Sequence, residues 1–266
     1  MTDVPTRRPP GTPCWVSLMA HQADLAQDFY GALFGWEFVP GPQQLGTYVL
    51  AELDGRRIAG IGEGPQEPHR PVSWTTLLAA DDVDLTAELV RECGGTVGIG
   101  PLNANDEGRL AIAVDPSGAV FGIWQGQLLS GTEATGGPGT LVWSELVTRD
   151  SSLVGKFYQA VFGFGSGGAP GERTDGDEAD TLADRILLQV DGRPVAGVHG
   201  VGQRLPRDRG AHWMSYFGVA DADEAARRVT ELGGRLLDPP HDTVHGRLAT
   251  VADPEGAAFS VVTAGT

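Results

Sequence analysis

Hydrophobic and polar positions along the chain fall into four similar runs, each opening at a tryptophan. The runs begin Trp15-Val16-Ser17-Leu18, Trp74-Thr75-Thr76-Leu77, Trp143-Ser144-Glu145-Leu146 and Trp213-Met214-Ser215-Tyr216. Twenty positions after each tryptophan stands a glycine: Gly35, Gly94, Gly163 and Gly233. Between them the apolar residues recur at helical spacing, as with Leu25, Phe29 and Leu33 flanked by Tyr30 and Phe34 in the first run. Asp24 and Gln27 stand at the spacing of a capping box, and each glycine is placed to turn left-handed beyond the last helical turn. Strand-rich segments then flank Asp54-Gly55, Asp191-Gly192, Asp115-Pro116-Ser117-Gly118 and Asp253-Pro254-Glu255-Gly256. In such turns glycine supplies the positive φ and proline presets its own. Each run therefore predicts the order strand, helix, strand, strand, strand.

The four modules pair into two larger repeats. Phe29-Tyr30-Gly31-Ala32-Leu33-Phe34-Gly35 answers Phe157-Tyr158-Gln159-Ala160-Val161-Phe162-Gly163, and Gly108-Arg109-Leu110-Ala111 answers Gly246-Arg247-Leu248-Ala249. The expected division is one α+β domain over 12–126 (modules 13–64 and 71–126), a Gly/Ser/Thr-rich linker at 127–139, and a second domain over 140–264 (modules 140–201 and 211–264). The second half carries a longer polar loop, Gly165 to Thr181, which reads equally as a lid or as a tolerated insertion.

Composition narrows the partners. The formal net charge of −16 argues against nucleic acid or an anionic membrane surface, both of which require a cationic face. No apolar stretch approaches the roughly 18 residues that cross a bilayer, and Met1 to Gly11 lacks the apolar centre of a secretory signal. A cytoplasmic protein is expected. The two cysteines, Cys14 and Cys93, form neither a disulfide framework nor a metal-binding spacing.

Paired βαβββ modules covering nearly the whole chain, with FYxxxFG after the first helix and DPxG before the last strand, resemble the vicinal oxygen chelate superfamily of glyoxalases, bleomycin-resistance proteins and extradiol dioxygenases. The resemblance implies α+β architecture: four βαβββ modules forming two glyoxalase-like domains in tandem, working as a monomer or a homodimer. It also implies that metal-dependent relatives carry His or Glu on first and last strands. Here those positions read Trp15 and Trp143 on first strands, Gly60 and Gly197 on the last strands of the odd modules, and Gly122 and Ser260 on those of the even modules. None supplies a metal donor, so no metal and no other cofactor is expected.

Two titratable residues stand near the expected cavity. Glu145 follows Trp143 by two positions and should share its sheet face, and His199 follows Gly197 in the same way. They read as an acid/base couple, a polar anchor or a remnant metal site, against the plainer alternatives of a solvent-facing or arginine-paired carboxylate and a loop histidine. His212 should face the opposite side of its strand, while His21, His69, His241 and His245 fall in predicted loops. Trp15, Trp74, Trp124, Trp143 and Trp213, with Ser17, Thr76 and Ser215, read as walls of a ligand cavity or, equally for duplicated positions, as core packing. The function expected is metal-independent binding of a small aromatic or polycyclic metabolite, by a sequestering protein or a tailoring enzyme. A metal-dependent glyoxalase-type lyase or dioxygenase and a non-catalytic scaffold are the alternatives.

Overall fold

A computed structural model describes residues 7–42, 45–64, 72–168, 184–205, 209–243 and 246–264. The first module comprises β1 (Pro13–Ala20), α1 (Ala23–Phe34), β2 (Glu37–Pro40), β3 (Tyr48–Leu53) and β4 (Arg56–Glu63). The second comprises β5 (Trp74–Ala79), α2 (Val83–Glu92), β6 (Thr96–Ala104), β7 (Gly108–Val114) and β8 (Val120–Gly126). The third comprises β9 (Leu141–Thr148), α3 (Ser151–Phe162), β10 (Gly165–Gly168), β11 (Arg185–Val190) and β12 (Arg193–Gly200). The fourth comprises β13 (His212–Gly218), α4 (Ala222–Glu231), β14 (Arg235–Thr243), β15 (Gly246–Ala252) and β16 (Ala258–Ala264). The α+β architecture of repeated βαβββ modules is thus the one that the sequence pattern predicts. Most of the long loop expected at Gly165 to Thr181 lies outside the described residues; its first four form β10.

The strands form two eight-stranded sheets in the orders β2-β3-β4-β1-β5-β8-β7-β6 and β10-β11-β12-β9-β13-β16-β15-β14. In every module the first strand runs parallel to the last, and the hairpins are antiparallel. Packing divides the chain along another line, into two compact units. One is built from the second and third modules (Thr76–Ser130 and Ser144–Trp213) with the segment up to Cys14; the other is built from Trp15–Thr75, Gly131–Trp143 and Met214–Thr266.

Each unit has its own apolar core, and one hydrogen-bonded chain recurs in both. In the unit of the first and fourth modules, Trp74 Nε1–H donates to the Tyr30 hydroxyl at 2.9 Å, and Tyr30 donates to Asp253 Oδ2 at 3.0 Å. Asp253 Oδ1 accepts the backbone N–H groups of Glu255 and Ala257, so the Asp-Pro-Glu-Gly turn is tied to the helix. Tyr30 is fully buried among Trp36, Trp74 and Phe259 with ring centroids 5.2–5.7 Å apart. In the other unit Trp213 donates to Tyr158 at 2.9 Å and Tyr158 to Asp115 at 3.1 Å, while Asp115 Oδ1 accepts from Ser117 and Ala119. The Tyr of FYxxxFG and the Asp of DPxG are therefore two ends of one buried pin.

Helix ends depart in part from the sequence pattern. Helix α1 starts at Ala23, and its N-cap Gln22 offers no side-chain bond. The His21 and Gln22 N–H groups instead donate to the Glu255 carboxylate, both at 2.9 Å. An anion at that end also suits the helix dipole. Asp24, the expected capping-box member, only accepts a long 3.4 Å bond from Gln27. Gly35 and Gly163 take the left-handed conformation directly after their helices, at φ 76° and 72°. In α2 and α4 the left-handed turn falls one residue later, on Gly94 and Gly233 after Cys93 and Leu232.

Tyr30→Phe strands the Trp74 N–H and one Asp253 oxygen. Each orphaned buried polar group costs roughly 1–3 kcal/mol, so urea unfolding at neutral pH should show a loss of about 2–4 kcal/mol; a loss below about 0.5 kcal/mol would refute the pin. Burial pushes the Asp253 carboxyl above its ordinary range, outweighing the lowering by its hydrogen bonds. As pH rises from 3, the unfolded carboxyl ionises first, which favours the unfolded chain. Wild-type stability minus that of Asp253→Asn should therefore fall with rising pH through the carboxylate range; a flat or rising difference would contradict the placement of this carboxyl.

Candidate functional site

The third module positions a charged cluster on the sheet face turned away from α3. Leu146 on β9, Leu188 on β11 and Val198 on β12 pack into the core with Val154, Phe157 and Tyr158 of α3. Strand alternation then turns Glu145, Arg185, Gly197 and His199 to the opposite face. Glu145 stands beside Gly197 on the parallel strand β12, and Arg185 stands opposite His199 on the antiparallel pair. Glu145 Oε2 lies 3.9 Å from both Arg185 Nη2 and His199 Nδ1, and Arg185 Nη2 lies 3.3 Å from His199 Nδ1. Glu145 is buried, while Arg185 and His199 are partly so.

Chemistry fixes the proton arrangement of this cluster. A guanidinium nitrogen only donates, so His199 Nδ1 accepts and Nε2 carries the hydrogen. Burial, followed by the nearby Arg185 charge, holds the His199 pKa below its usual value, against the opposing pull of Glu145. The imidazole is therefore neutral at pH 7. Two donors in the cluster, Arg185 Nε–H and His199 Nε2–H, are buried without a hydrogen-bond partner among the described residues.

The corresponding face of the first module is built from the same positions with other chemistry. Val16, Leu18, Ala51, Ala59 and Ile61 pack against α1, which leaves Trp15, Ser17, Tyr48, Gly60 and Gly62 on the other face. Trp15 Nε1–H donates to the Tyr48 hydroxyl at 3.2 Å, and Ser17 shares a hydrogen bond with it at 3.0 Å. The Tyr48 ring lies over the two glycines: a Cβ at Gly60 would overlap its hydroxyl, and one at Gly62 would meet the ring at 2.8 Å. Tyr48 pairs with Gly62 as Arg185 pairs with His199, and Ser17 pairs with Gly60 as Glu145 pairs with Gly197. A neutral, filled face in one module thus corresponds to a charged face in the other.

The remaining sequence candidates lie elsewhere. Trp74 and Trp213 are buried in the helix-side cores with their N–H groups on Tyr30 and Tyr158. Thr76 and Ser215 follow them on the same side by alternation, and their hydroxyls are buried without a partner among the described residues. Trp124 is buried and donates to Leu129 O at 2.8 Å, which ties β8 to the segment after it. Trp143 is partly buried and shares the face of Glu145. His212 opens β13 and its Nδ1–H donates to Gly210 O; His241 lies within β14, where a loop was expected, and is exposed. His69 and His245 lie outside the described residues. Cys14 is buried, which pushes its thiol up to about 12 and makes it a poor nucleophile. Arg185 and Tyr48 were not singled out from the sequence. Each stands six residues before its Asp-Gly turn, so the offset from Asp54 and Asp191 was the available signal.

A divalent ion does not fit this donor set. Trp15, Trp143, Gly60, Gly197, Gly122 and Ser260 occupy the positions that the family resemblance assigns to ligands, and the Leu77 side chain fills the space above Gly122. Among the described residues no three His, Cys, Asp or Glu side chains converge. Glu145 and His199 are two donors, and the Arg185 cation beside them opposes a metal ion.

Comparison with known proteins agrees with the fold. The model of the glyoxalase-like domain family matches residues 143–262. The anthracycline biosynthesis protein DauV of Streptomyces sp. (strain C5) is 35% identical over 97% of this chain and 94% of its own length. Among solved structures, the Mn(II)-bound glyoxalase from Novosphingobium aromaticivorans has a TM-score of 0.62 at 14% identity, covering 97% of this chain and 82% of that one. The 2,3-dioxygenase LapB from Pseudomonas sp. KL28 has a TM-score of 0.61 at 16% identity, covering 97% of this chain and 92% of that one. At such identities the structural likeness speaks for fold alone.

Arg185→Gln removes the nearest positive charge from His199 and leaves Glu145 to act on it. The His199 pKa should then rise, as read from an NMR titration of its ring Cε1–H. An unchanged or lower value would mean that the guanidinium does not face the imidazole.

Proposed function

Because the chain belongs to the vicinal oxygen chelate superfamily, we propose that it binds a small aromatic or polycyclic metabolite without a metal ion, on the sheet face that carries Glu145, Arg185 and His199. Its role on this reading lies in secondary metabolism, as a tailoring enzyme or a sequestering protein. The observation that carries the reading is the charged cluster itself. It replaces the Trp15–Ser17–Tyr48 arrangement of the first module with a buried carboxylate, a guanidinium and a neutral imidazole. The likeness to an anthracycline biosynthesis protein over nearly the whole length supports a polycyclic aromatic ligand.

In a catalytic version Glu145 accepts a proton from an acidic position of the ligand. The Arg185 guanidinium stabilises the negative charge that develops on a conjugated oxygen. In a sequestering version the same groups bind and orient without proton transfer. The glyoxalase and dioxygenase neighbours favour a second, metal-dependent reading, against which the donor set of this chain weighs.

Tryptophan fluorescence titration with planar polycyclic compounds, repeated with a chelator, tests the proposal. About one equivalent of ligand per chain is expected, with an affinity indifferent to the chelator. Protein purified without a chelator should hold less than about a tenth of an equivalent of transition metal, because a built site retains its ion. Close to one equivalent of Zn, Ni, Mn or Fe, lost together with binding or turnover on chelation, would sink the metal-free reading. Glu145→Gln then separates its two versions: the catalytic one loses turnover while keeping affinity, and the sequestering one shows no turnover to lose.

A further inference from the structure

Independently of that reading, we propose that the protein has a second small-molecule site, a cleft of about 290 Å³ beside the N-terminal segment that takes an organic ammonium ion carried on a compact apolar ring. The duplicated architecture supplies a reference for this place. Gly11 N–H donates to Ala79 O at 2.8 Å, and Thr12 O accepts from Ala79 N–H at 2.9 Å. In the other compact unit Gly139 and Thr140 make the same two bonds to Gly218, at 2.8 and 2.9 Å. Both glycines are left-handed, at φ 84° and 78°. A Cβ on Gly11 would strike the Phe164 ring at 2.7 Å, and one on Gly139 would crowd Leu53 at 3.1 Å. The N-terminal segment and the segment before β9 are thus equivalent straps.

Beyond the straps the two copies part. Glu133 anchors the strap before β9: its carboxylate accepts from Arg57 N–H at 2.8 Å and Arg57 Nη2 at 2.7 Å, and its own N–H donates to Arg57 O. Ala134 and Leu53 pack against the core of that unit. In the hairpin of the other copy, Pro194 stands opposite Gln189 as Arg57 stands opposite Glu52, and Val190 holds the place of Leu53. Proline has neither a backbone N–H nor a cationic side chain, so the anchor cannot be made there. In place of the anchor lies a cleft, with Pro9 and Pro10 on one side and Phe162, Gln189, Val190 and Asp191 on the other.

The walls define the ligand. The proline rings, Phe162 and Val190 are apolar, and the volume lies at the lower end of small-ligand pockets, which suits a single compact ring. Among the described residues that line the cleft Asp191 alone is charged, and the Gln189 amide is the other polar side chain. A carboxylate accepts hydrogen bonds, attracts a cation and repels an anion. An ammonium group supplies both the donors and the charge; a phosphate or carboxylate ligand supplies neither.

NMR titration of the full chain with 2-phenylethylammonium, 2-phenylethanol and 3-phenylpropionate tests the proposal, because the three share one phenylethyl body. The ammonium ion should shift the backbone amides of Gly163, Gly165 and Gly192, which border the cleft, and saturate with a Kd of roughly millimolar order, ordinary for so few atoms. The alcohol should bind about threefold more weakly, the share of an exposed ion pair, and the carboxylate more weakly still. Asp191→Asn keeps a residue that tolerates the positive φ of 50° there. It should bring the ammonium ion to the level of the alcohol and leave the alcohol's affinity unchanged. Equal affinity for the ammonium ion and the alcohol, or tighter binding of the carboxylate, would overturn the ligand assignment. Shifts confined to amides away from these glycines, or no saturable shift with any of the three, would overturn the site itself.

Discussion

A phenol hydroxyl in a dry core needs both an acceptor for its hydrogen and a donor for its oxygen, and that need organises each compact unit of this protein. Tyr30 and Tyr158 are fully buried on their helices. Each receives an indole N–H from a tryptophan at the start of a strand and donates to an aspartate in a Pro-containing turn. The aspartate is in turn spent on backbone N–H groups of its own turn. The result ties a helix of one module to a strand and a hairpin distant in sequence by 44 and 223 residues in one unit and 55 and 43 in the other. Such links carry a high entropic cost of closure, so a polar chain that tolerates only one arrangement specifies which module packs with which.

That pin spends one tryptophan of each pair on the core, which frees the other sheet face to vary. On that face the duplicated positions accept large changes because glycines lie beneath them. Gly60 and Gly62 admit the whole Tyr48 ring, and Gly197 stands beside Glu145. Ser17 against Glu145, Tyr48 against Arg185 and Gly62 against His199 are therefore exchanges made on an unchanged backbone register. The fold needs the glycines and the pin; the chemistry is carried by what stands between them.

How much of this could be read from the sequence follows from which interactions are local. Trp-to-Gly spacing, the Asp-Gly and Asp-Pro-x-Gly turns and the helical runs are short-range signals, and the βαβββ order came directly from them. The facing of Trp74 and Trp213 was not legible in this way: a tryptophan at a strand start suits either face, and only the distant Tyr30 and Tyr158 decide between them. For the same reason the cap of α1 was misplaced. Asp24 and Gln27 offered a local solution, and Glu255 offered a better one from far along the chain. Strand period alone puts Glu145 on the face of Trp143 and His199 on that of Gly197, but Arg185 entered only once the β11–β12 register was known.

The charged cluster does not behave like a device for stability. A buried Glu–Arg pair recovers its desolvation cost only with close geometry and all remaining donors satisfied. Here the Arg185 and His199 nitrogens stand 3.9 Å from the Glu145 carboxylate, and two N–H groups meet no acceptor among the described residues. The first module shows that the same positions can be filled by a phenol with its hydroxyl bonded twice. A sequence under demand for stability alone has that solution available within its own repeat. Local rules broken on one copy and kept on the other support the proposal that this face is a functional site. The break here has a specific chemical sense, because every unmet group in Arg185 and His199 is a donor.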